Sequence, residues 1–349
     1  MRRIVGAVAV LLALPLSMAA WGQLPPSVDN SPVSNAPAAP SDQSVATFKV
    51  NVNLVDVFFT ARDKHGELVP HLTRNDCSIA EDKAPQTLKS FSAETDLPLT
   101  LGILLDTSGS QQNVLPLEQQ AGAEFLREVL RSKDEAFLAS FDVNVDLLQD
   151  FTNSPRELAQ AMDKAQINTA GGNGSGLPGM GGGPVPTVGD PKGTLLYDAI
   201  YQSASGKLSE QTGRKALIIL TDGQDEGSNH KIGEAISAAE RSNVMVYVIL
   251  IADVRGYMDT GMGYYGYSAA KQLAEQTGGH LIDVGSNGRK LEAAFKQISD
   301  ELRSEYLATY TPSNTKLDGT FRHIGVNCGD GVRIQTRKGY YAPNANSSY

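Results

Sequence analysis

Between residues 50 and 54 apolar side chains alternate with polar ones, and Val55, Val57 and Phe59 continue the alternation after a slip of phase. Period-two alternation marks strands with one buried face, and the slip marks a bulge. Residues 63–66 (Asp-Lys-His-Gly) supply turn chemistry before a short strand at Leu68 and Val69. Residues 77–80 and 87–91 read as two more strands of the same small β unit. The pattern then changes. Residues 99–105 form a nearly continuous apolar run, as expected of a strand covered on both faces of a parallel sheet. Residues 116–130 carry apolar side chains at helical spacing. Strand-like segments at 136–141, 145–151, 216–220, 244–251 and 280–284 alternate with helix-like ones at 155–165, 195–208, 232–241, 268–276 and 290–302. This alternation predicts an α/β domain with a doubly wound, mostly parallel sheet and helices on both faces.

After Glu305 the strands return without helices to cover them: Tyr306, Ala308 and Tyr310 alternate, followed by 321–326, 332–336 and 339–342. The economical partners for these edges are the strands of 46–95, which makes the α/β domain an insertion in a small discontinuous β domain. Cys77 and Cys328, the two cysteines of the chain, fall in the two halves of that β domain. An even count in an exported chain predicts a disulfide between them.

Export is predicted from the first 22 residues. Arg2 and Arg3 precede an apolar stretch over 5–16, and small residues follow around Ser17, Ala19, Ala20 and Gly22. This is the layout of a secretory signal peptide cleaved after Ala19 or Gly22; the apolar stretch is short for a membrane span. Residues 23–45 are rich in Pro, Ser, Ala and Asn and cannot bury a core, so they read as a disordered linker. The predicted organisation is therefore signal peptide 1–22, linker 23–45, β-domain halves 46–95 and 304–342, α/β domain 96–303 and a tail over 343–349. The mature protein is expected outside the cytosol, secreted or in the periplasm or cell envelope, with no membrane insertion after cleavage.

Charge narrows the partners. A net charge of −9 with no basic cluster argues against nucleic acid. Enzyme signatures are poor: there is no Gly-x-x-x-x-Gly-Lys phosphate loop, no Gly-x-Ser-x-Gly nucleophile elbow and no His-x-x-x-His pair. The five histidines are scattered, and His280, at the start of a strand taken as buried, reads as structural.

The chemistry gathers at strand ends. The apolar run ends in Asp106-Thr-Ser-Gly-Ser110, and ligands in such sheets sit beyond the carboxyl ends of the strands. A second buried strand ends in Thr221-Asp222-Gly223, and Thr194 opens a helix between the two. Two aspartates and three hydroxyls offer hard oxygen donors, suited to Mg²⁺ first and also to Mn²⁺ or Ca²⁺, but not to zinc. Asp225 and Glu226 could add acidity near this edge, although acidic residues in such a loop are more often solvated. Residues 170–193 form a Gly/Pro-rich insertion in front of Thr194, in which Thr187 is a rival ligand. A further Gly-rich segment carries Tyr257, Tyr264, Tyr265 and Tyr267 at the same sheet edge, side chains suited to recognition.

The constellation Asp106, Ser108, Ser110, Thr194 and Asp222 resembles the metal-ion-dependent adhesion site of von Willebrand factor type A domains. The flanking segments 55–91 and 304–342 extend the resemblance to the VWFA-related Acidobacterial domain family, over roughly 46–342. The resemblance implies that Ser108, Ser110 and Thr194 ligate the cation directly. Asp106 and Asp222 act largely through water, and one open position accepts an Asp or Glu of a partner protein. The expectation is an exported adhesion module rather than an enzyme. The alternatives are a metal-assisted hydrolase, which would need a general base the sequence does not offer, and a structural component of an envelope assembly.

Overall fold

The computed structural model describes residues 54–93, 97–167, 193–252 and 265–344. The segments expected as signal peptide and linker, most of the 170–193 insertion, Thr187, Tyr257 and Tyr264 lie outside these residues.

Six strands form the central sheet: β5 (Leu99–Asp106), β6 (Glu135–Phe141), β7 (Val145–Thr152), β8 (Arg214–Thr221), β9 (Val244–Leu250) and β10 (Leu281–Asp283). Their spatial order is β10-β9-β8-β5-β6-β7. All neighbours are parallel except β7, which runs antiparallel to β6 at one edge. Every residue of β5, β8 and β9 is buried, which is why these strands lack polar alternation.

Two apolar layers account for this. On one face α1 (Leu115–Val129), α2 (Pro155–Met162) and the long helix Gly288–Arg303 pack with Leu101, Ile103, Leu105, Ile218 and Ile249. On the other, α3 (Leu196–Gln202), α4 (Ile232–Arg241) and α5 (Gly266–Thr277) pack with Leu104, Leu217, Ile219 and Val248. The helix Gly288–Arg303 is α6 below. The doubly wound, mostly parallel α/β expectation holds.

The terminal strands pair as the unmatched edges required. β1 (Val55–Arg62) lies between β11 (Tyr306–Tyr310) and β13 (Arg333–Thr336), and β4 (Leu88–Ala93) borders β11. A second four-stranded sheet joins β2 (Ser78–Glu81) and β3 (Ala84–Gln86) to β12 (Phe321–Asn327) and β14 (Gly339–Tyr341). The two sheets share one core that includes Val57, Phe59, Ile79, Tyr306, Tyr310 and Ile324. Cys77 and Cys328 are disulfide-bonded within it, 251 residues apart in sequence. Buried Glu81 accepts hydrogen bonds from the Tyr310 and Tyr340 hydroxyls, each at 2.8 Å, and pairs with Arg322 at 3.4 Å.

Two local expectations differ. Leu68 and Val69 form no strand: Leu68 makes an isolated bridge to Arg62, and the turn at Asp63 spends most of the local pairing. β10 is a half-buried edge strand rather than a buried one, and His280 precedes it.

His280 nevertheless has a structural role. Its Nδ1 stands 3.3 Å from Oε1 of buried Glu301, which also receives Arg62 at 2.6 Å and Gln297 at 2.9 Å. These contacts tie β1 to α6. The contact with the Glu301 carboxylate raises the His280 pKa above 6.5, outweighing its partial burial. Burial pushes Glu301 up, but its contacts with His280, Gln297 and Arg62 hold it below its usual value of 4.5. A raised histidine contributes stability fully below pH 6.5 and loses it as pH climbs through the folded-state pKa. His280→Gln is therefore expected to cost more stability at pH 6 than at pH 9, measured by urea denaturation; an equal loss at both would show that the pair adds nothing ionic.

Serine at both Cys77 and Cys328 is expected to lower unfolding free energy by about 2–4 kcal/mol, because the bridge closes a long loop of the unfolded chain. Denaturant titration of the oxidised wild type against the double variant reads this directly.

Candidate metal centre

β5 and β8 run side by side with Leu105 opposite Leu220, so both strands deliver their last residues to one sheet edge. Thr221 at the end of β8 donates its hydroxyl to Asp106 Oδ2 at 2.6 Å. The other carboxylate oxygen, Oδ1, accepts the Ser108 backbone N–H at 3.0 Å. The chain then turns tightly over Gly109–Gln111, which brings the Ser108 and Ser110 hydroxyls to 3.0 Å from each other. Gly109 has open space where a Cβ would stand and no positive φ, so this turn does not demand glycine.

Gly223 is different. Its φ is +79°, and a Cβ there would stand 2.5 Å from the carbonyl oxygen of Gly266. The tight contact lets Gly223 N–H bond Thr221 Oγ1 and Gln224 N–H bond Asp222 Oδ1, each at 3.0 Å. It also seats the start of α5 against the turn that carries Asp222. Tyr265 and Tyr267 therefore flank the contact, 75% and 46% exposed. They are the two of the four sequence-predicted tyrosines that the structure describes.

Thr194 reaches the same edge through backbone pairing. Thr194 and Gly193 N–H groups donate to Glu226 O, and Glu226 N–H donates to Thr194 O at 2.8 Å. On its other side Leu195 N–H bonds Asp142 O at 2.8 Å, and Asp142 in turn accepts the Thr107 hydroxyl at 2.9 Å. Thr194 is thus held between the turn after β8 and the end of β6, next to β5. Four of the five predicted donors, Asp106, Ser108, Thr194 and Asp222, are buried, and Ser110 is exposed at the rim.

Asp225 and Glu226 serve to hold the loops beside the cup. Asp225 accepts the Tyr197 N–H at 3.0 Å in the first turn of α3 and the Ser228 hydroxyl at 2.5 Å; Glu226 works through its backbone. A carboxylate at a helix N-terminus satisfies donors that the helix itself leaves open. Sequence reading also misses Asp198 and His230. Asp198, in α3, accepts N–H groups of Asn229 and His230 at 2.9 Å and pairs with His230 Nδ1 at 2.6 Å. The His230 ring stacks on Tyr201 with centroids 3.7 Å apart. Burial raises Asp198, but the hydrogen bonds from Asn229 and His230 outweigh it and hold the carboxyl below its usual value. Spacings of about thirty residues carry no local signal for such a clamp.

The electrostatics of the cup are unbalanced. Burial, and then the charge of Asp222, push Asp106 well above the ordinary carboxylate range, against the bonds from Ser108 and Thr221. Two carboxylates sharing a low-dielectric site disfavour their joint ionisation unless a positive charge joins them. Among the described residues, no Arg, Lys or His forms an ion pair with Asp106. No three His, Cys, Asp or Glu side chains among them gather as a metal-holding group. A cation at this edge would therefore depend on the Ser108, Ser110 and Thr194 hydroxyls beside the two aspartates, and this oxygen-only donor set fits a hard divalent ion.

No protein-family model and no curated protein sequence matches the chain. Similar solved structures exist at low identity. The conserved hypothetical protein BatB from Bacteroides thetaiotaomicron is 17% identical, with 59% of this chain and 100% of that one covered and a TM-score of 0.43. Proximal thread matrix protein 1 from the mussel byssus is 14% identical, covering 64% of this chain and 51% of its own length, with a TM-score of 0.46. The latter has also been solved with zinc in its MIDAS motif. These are similarities of layout and assign no activity. Among the described residues no helix is long and apolar enough to cross a membrane.

Gly223→Ala is expected to cost about 1–3 kcal/mol of stability, since it combines a left-handed backbone with a backbone clash. Gly109→Ala is expected to cost less than 1 kcal/mol. Thermal denaturation of the two variants side by side checks the contrast.

Proposed function

We propose that the protein is an exported, metal-dependent protein-binding module. A divalent cation, Mg²⁺ first and Mn²⁺ or Ca²⁺ as substitutes, binds at the carboxyl edge of the central sheet. Ser108, Ser110 and Thr194 supply hydroxyl ligands, and Asp106 and Asp222 supply negative charge. When bound, the cation offers an electrophilic position to the Asp or Glu of a partner protein. Tyr265 and Tyr267 flank that position and supply contact area. Export rests on the N-terminal pattern and is supported by the Cys77–Cys328 bridge, which belongs to an oxidising compartment.

What supports the reading is that Asp106, Ser108, Ser110 and Asp222 stand at the ends of two neighbouring strands, with Thr194 backbone-paired to the turn after β8. With it goes a carboxyl–carboxyl repulsion that a cation would relieve. We read the site as one for binding rather than catalysis, because the residues around it serve as caps and clamps. Asp142, Asp225, Asp198 and His230 are each engaged in holding loops together.

Calorimetric titration of Mg²⁺, Mn²⁺ and Ca²⁺ into the wild type and Asp106→Ala tests the reading. Saturable binding by the wild type, reduced at least a hundredfold in a variant that keeps its circular dichroism, is the expected result. A folded Asp106→Ala protein that binds as the wild type does removes the site assignment. Absence of binding by the wild type removes the metal-dependent function.

A further inference from the structure

The core stripe of α1 runs through Leu115, Glu118, Gly122, Phe125, Leu126 and Val129, all buried. Helical spacing turns these positions toward the sheet, so a carboxylate lies on an otherwise apolar face one turn into the helix. Glu118 is 0% exposed, and neither of its carboxylate oxygens has a hydrogen-bond partner. That is costly: a buried carboxyl without partners is among the more destabilising groups a core can hold.

A second orphan lies close by. Gln111 is 1% exposed and directs its amide nitrogen toward Ser110 Oγ at 3.5 Å and Ile251 O at 3.4 Å, leaving Oε1 without a partner. Three buried acceptor oxygens therefore lie unpaired in the segment that follows the Asp106–Ser110 loop. Glu118 senses the same charges. After burial, Asp106 and Asp222 are what push its carboxyl well up. Glu118 does not join those aspartates in a three-carboxylate ligand group.

We infer that Glu118 is an outer member of the cation site, an unpaired carboxyl set behind the ligands whose cost is offset only when a divalent cation is bound. The inference rests on the cation-binding reading above and deepens it. Glu118 acts on the cation through charge and through the ion's hydration rather than as a ligand, and Gln111, beside Ser110, adds a free amide oxygen. Outer partners of this kind tune metal affinity by about ten- to a hundredfold.

The test uses Glu118→Gln, which keeps shape and removes charge, and Glu118→Met, which removes the polar group. Mg²⁺ and Mn²⁺ affinity by calorimetry and unfolding temperature in chelator are measured for each. Both variants are expected to bind cation about tenfold or more weakly than wild type. Glu118→Met is expected to unfold at a higher temperature than wild type in chelator, and added cation should raise the melting temperature of both variants by less than it raises that of wild type. Affinities within twofold of wild type would overturn the inference while leaving the cation site standing. So would variants that are less stable in chelator yet bind unchanged, since that marks a purely structural carboxyl. A wild type that binds no cation overturns the site itself, a result the Asp106→Ala comparison distinguishes.

Discussion

Two carboxylates delivered to one buried edge set the terms for the rest of the molecule. Asp106 and Asp222 arrive there because β5 and β8 are neighbours in register and each ends at the same height. The sheet cannot move them apart without breaking fully buried strands, and the low local dielectric makes their mutual repulsion count. Hydrogen bonds from Ser108, Thr221 and Gln224 distribute the negative charge but do not cancel it. In the proposed function that held repulsion is what a cation would relieve, and the hydroxyls beside the pair would decide which cation fits.

Rigid strands position the aspartates, but loops must bring in the remaining donors, and those loops are fastened by chemistry that never touches the site. Thr194 is held by backbone pairing with Glu226 and Leu195 by the carbonyl of Asp142, while Asp225 and the Asp198–His230 pair secure the turn after β8 to α3. At the opposite end, Glu301 gathers Arg62, His280 and Gln297 and joins β1 to α6. Arg214, wholly buried at the start of β8, donates to Leu97 O at 2.7 Å and pairs with Glu305 at 3.5 Å. Burial raises Glu305 to about 8 even against that pairing, so this junction depends on close geometry more than on net charge. These contacts couple the β domain to the base of the central sheet.

How much of this the sequence disclosed follows from the range over which each signal acts. The strands at 99–106, 214–221 and 244–250 were legible because burial on both faces erases polar alternation. Asp106, Ser108, Ser110 and Asp222 were legible because strand ends are where such sheets present chemistry. Glu118 was not, because a carboxylate one turn into an amphipathic helix looks like a solvated position until burial is known. Asp198 and His230 were not, because they meet across 32 residues. Leu68 and Val69 misled for the opposite reason: their apolar pair suggested a strand, but only one bridge forms there. The role of Asp225 was not legible either: its place near Asp222 in sequence suggested acidity beside the cup or a solvated loop position, whereas its carboxylate accepts the Tyr197 N–H at the start of α3.

The proposed cation site carries a tension that its layout resolves by depth. Neutral hydroxyl ligands leave a divalent ion electrophilic, which suits capture of a partner's carboxylate, whereas each added negative charge retains the ion more firmly and makes it less receptive. Asp106, Asp222 and Glu118 are buried, while Ser110 sits at the exposed rim and Tyr265 and Tyr267 are exposed. Coulomb interactions weaken steeply where water intervenes. Charge placed below the ion therefore holds it against loss, while the solvent-facing side stays lined with uncharged oxygen and aromatic surface. In the proposed site, retention would thus fall to the core and receptivity to the rim, so a change in one layer would alter binding of the ion without redrawing the surface proposed to meet the partner.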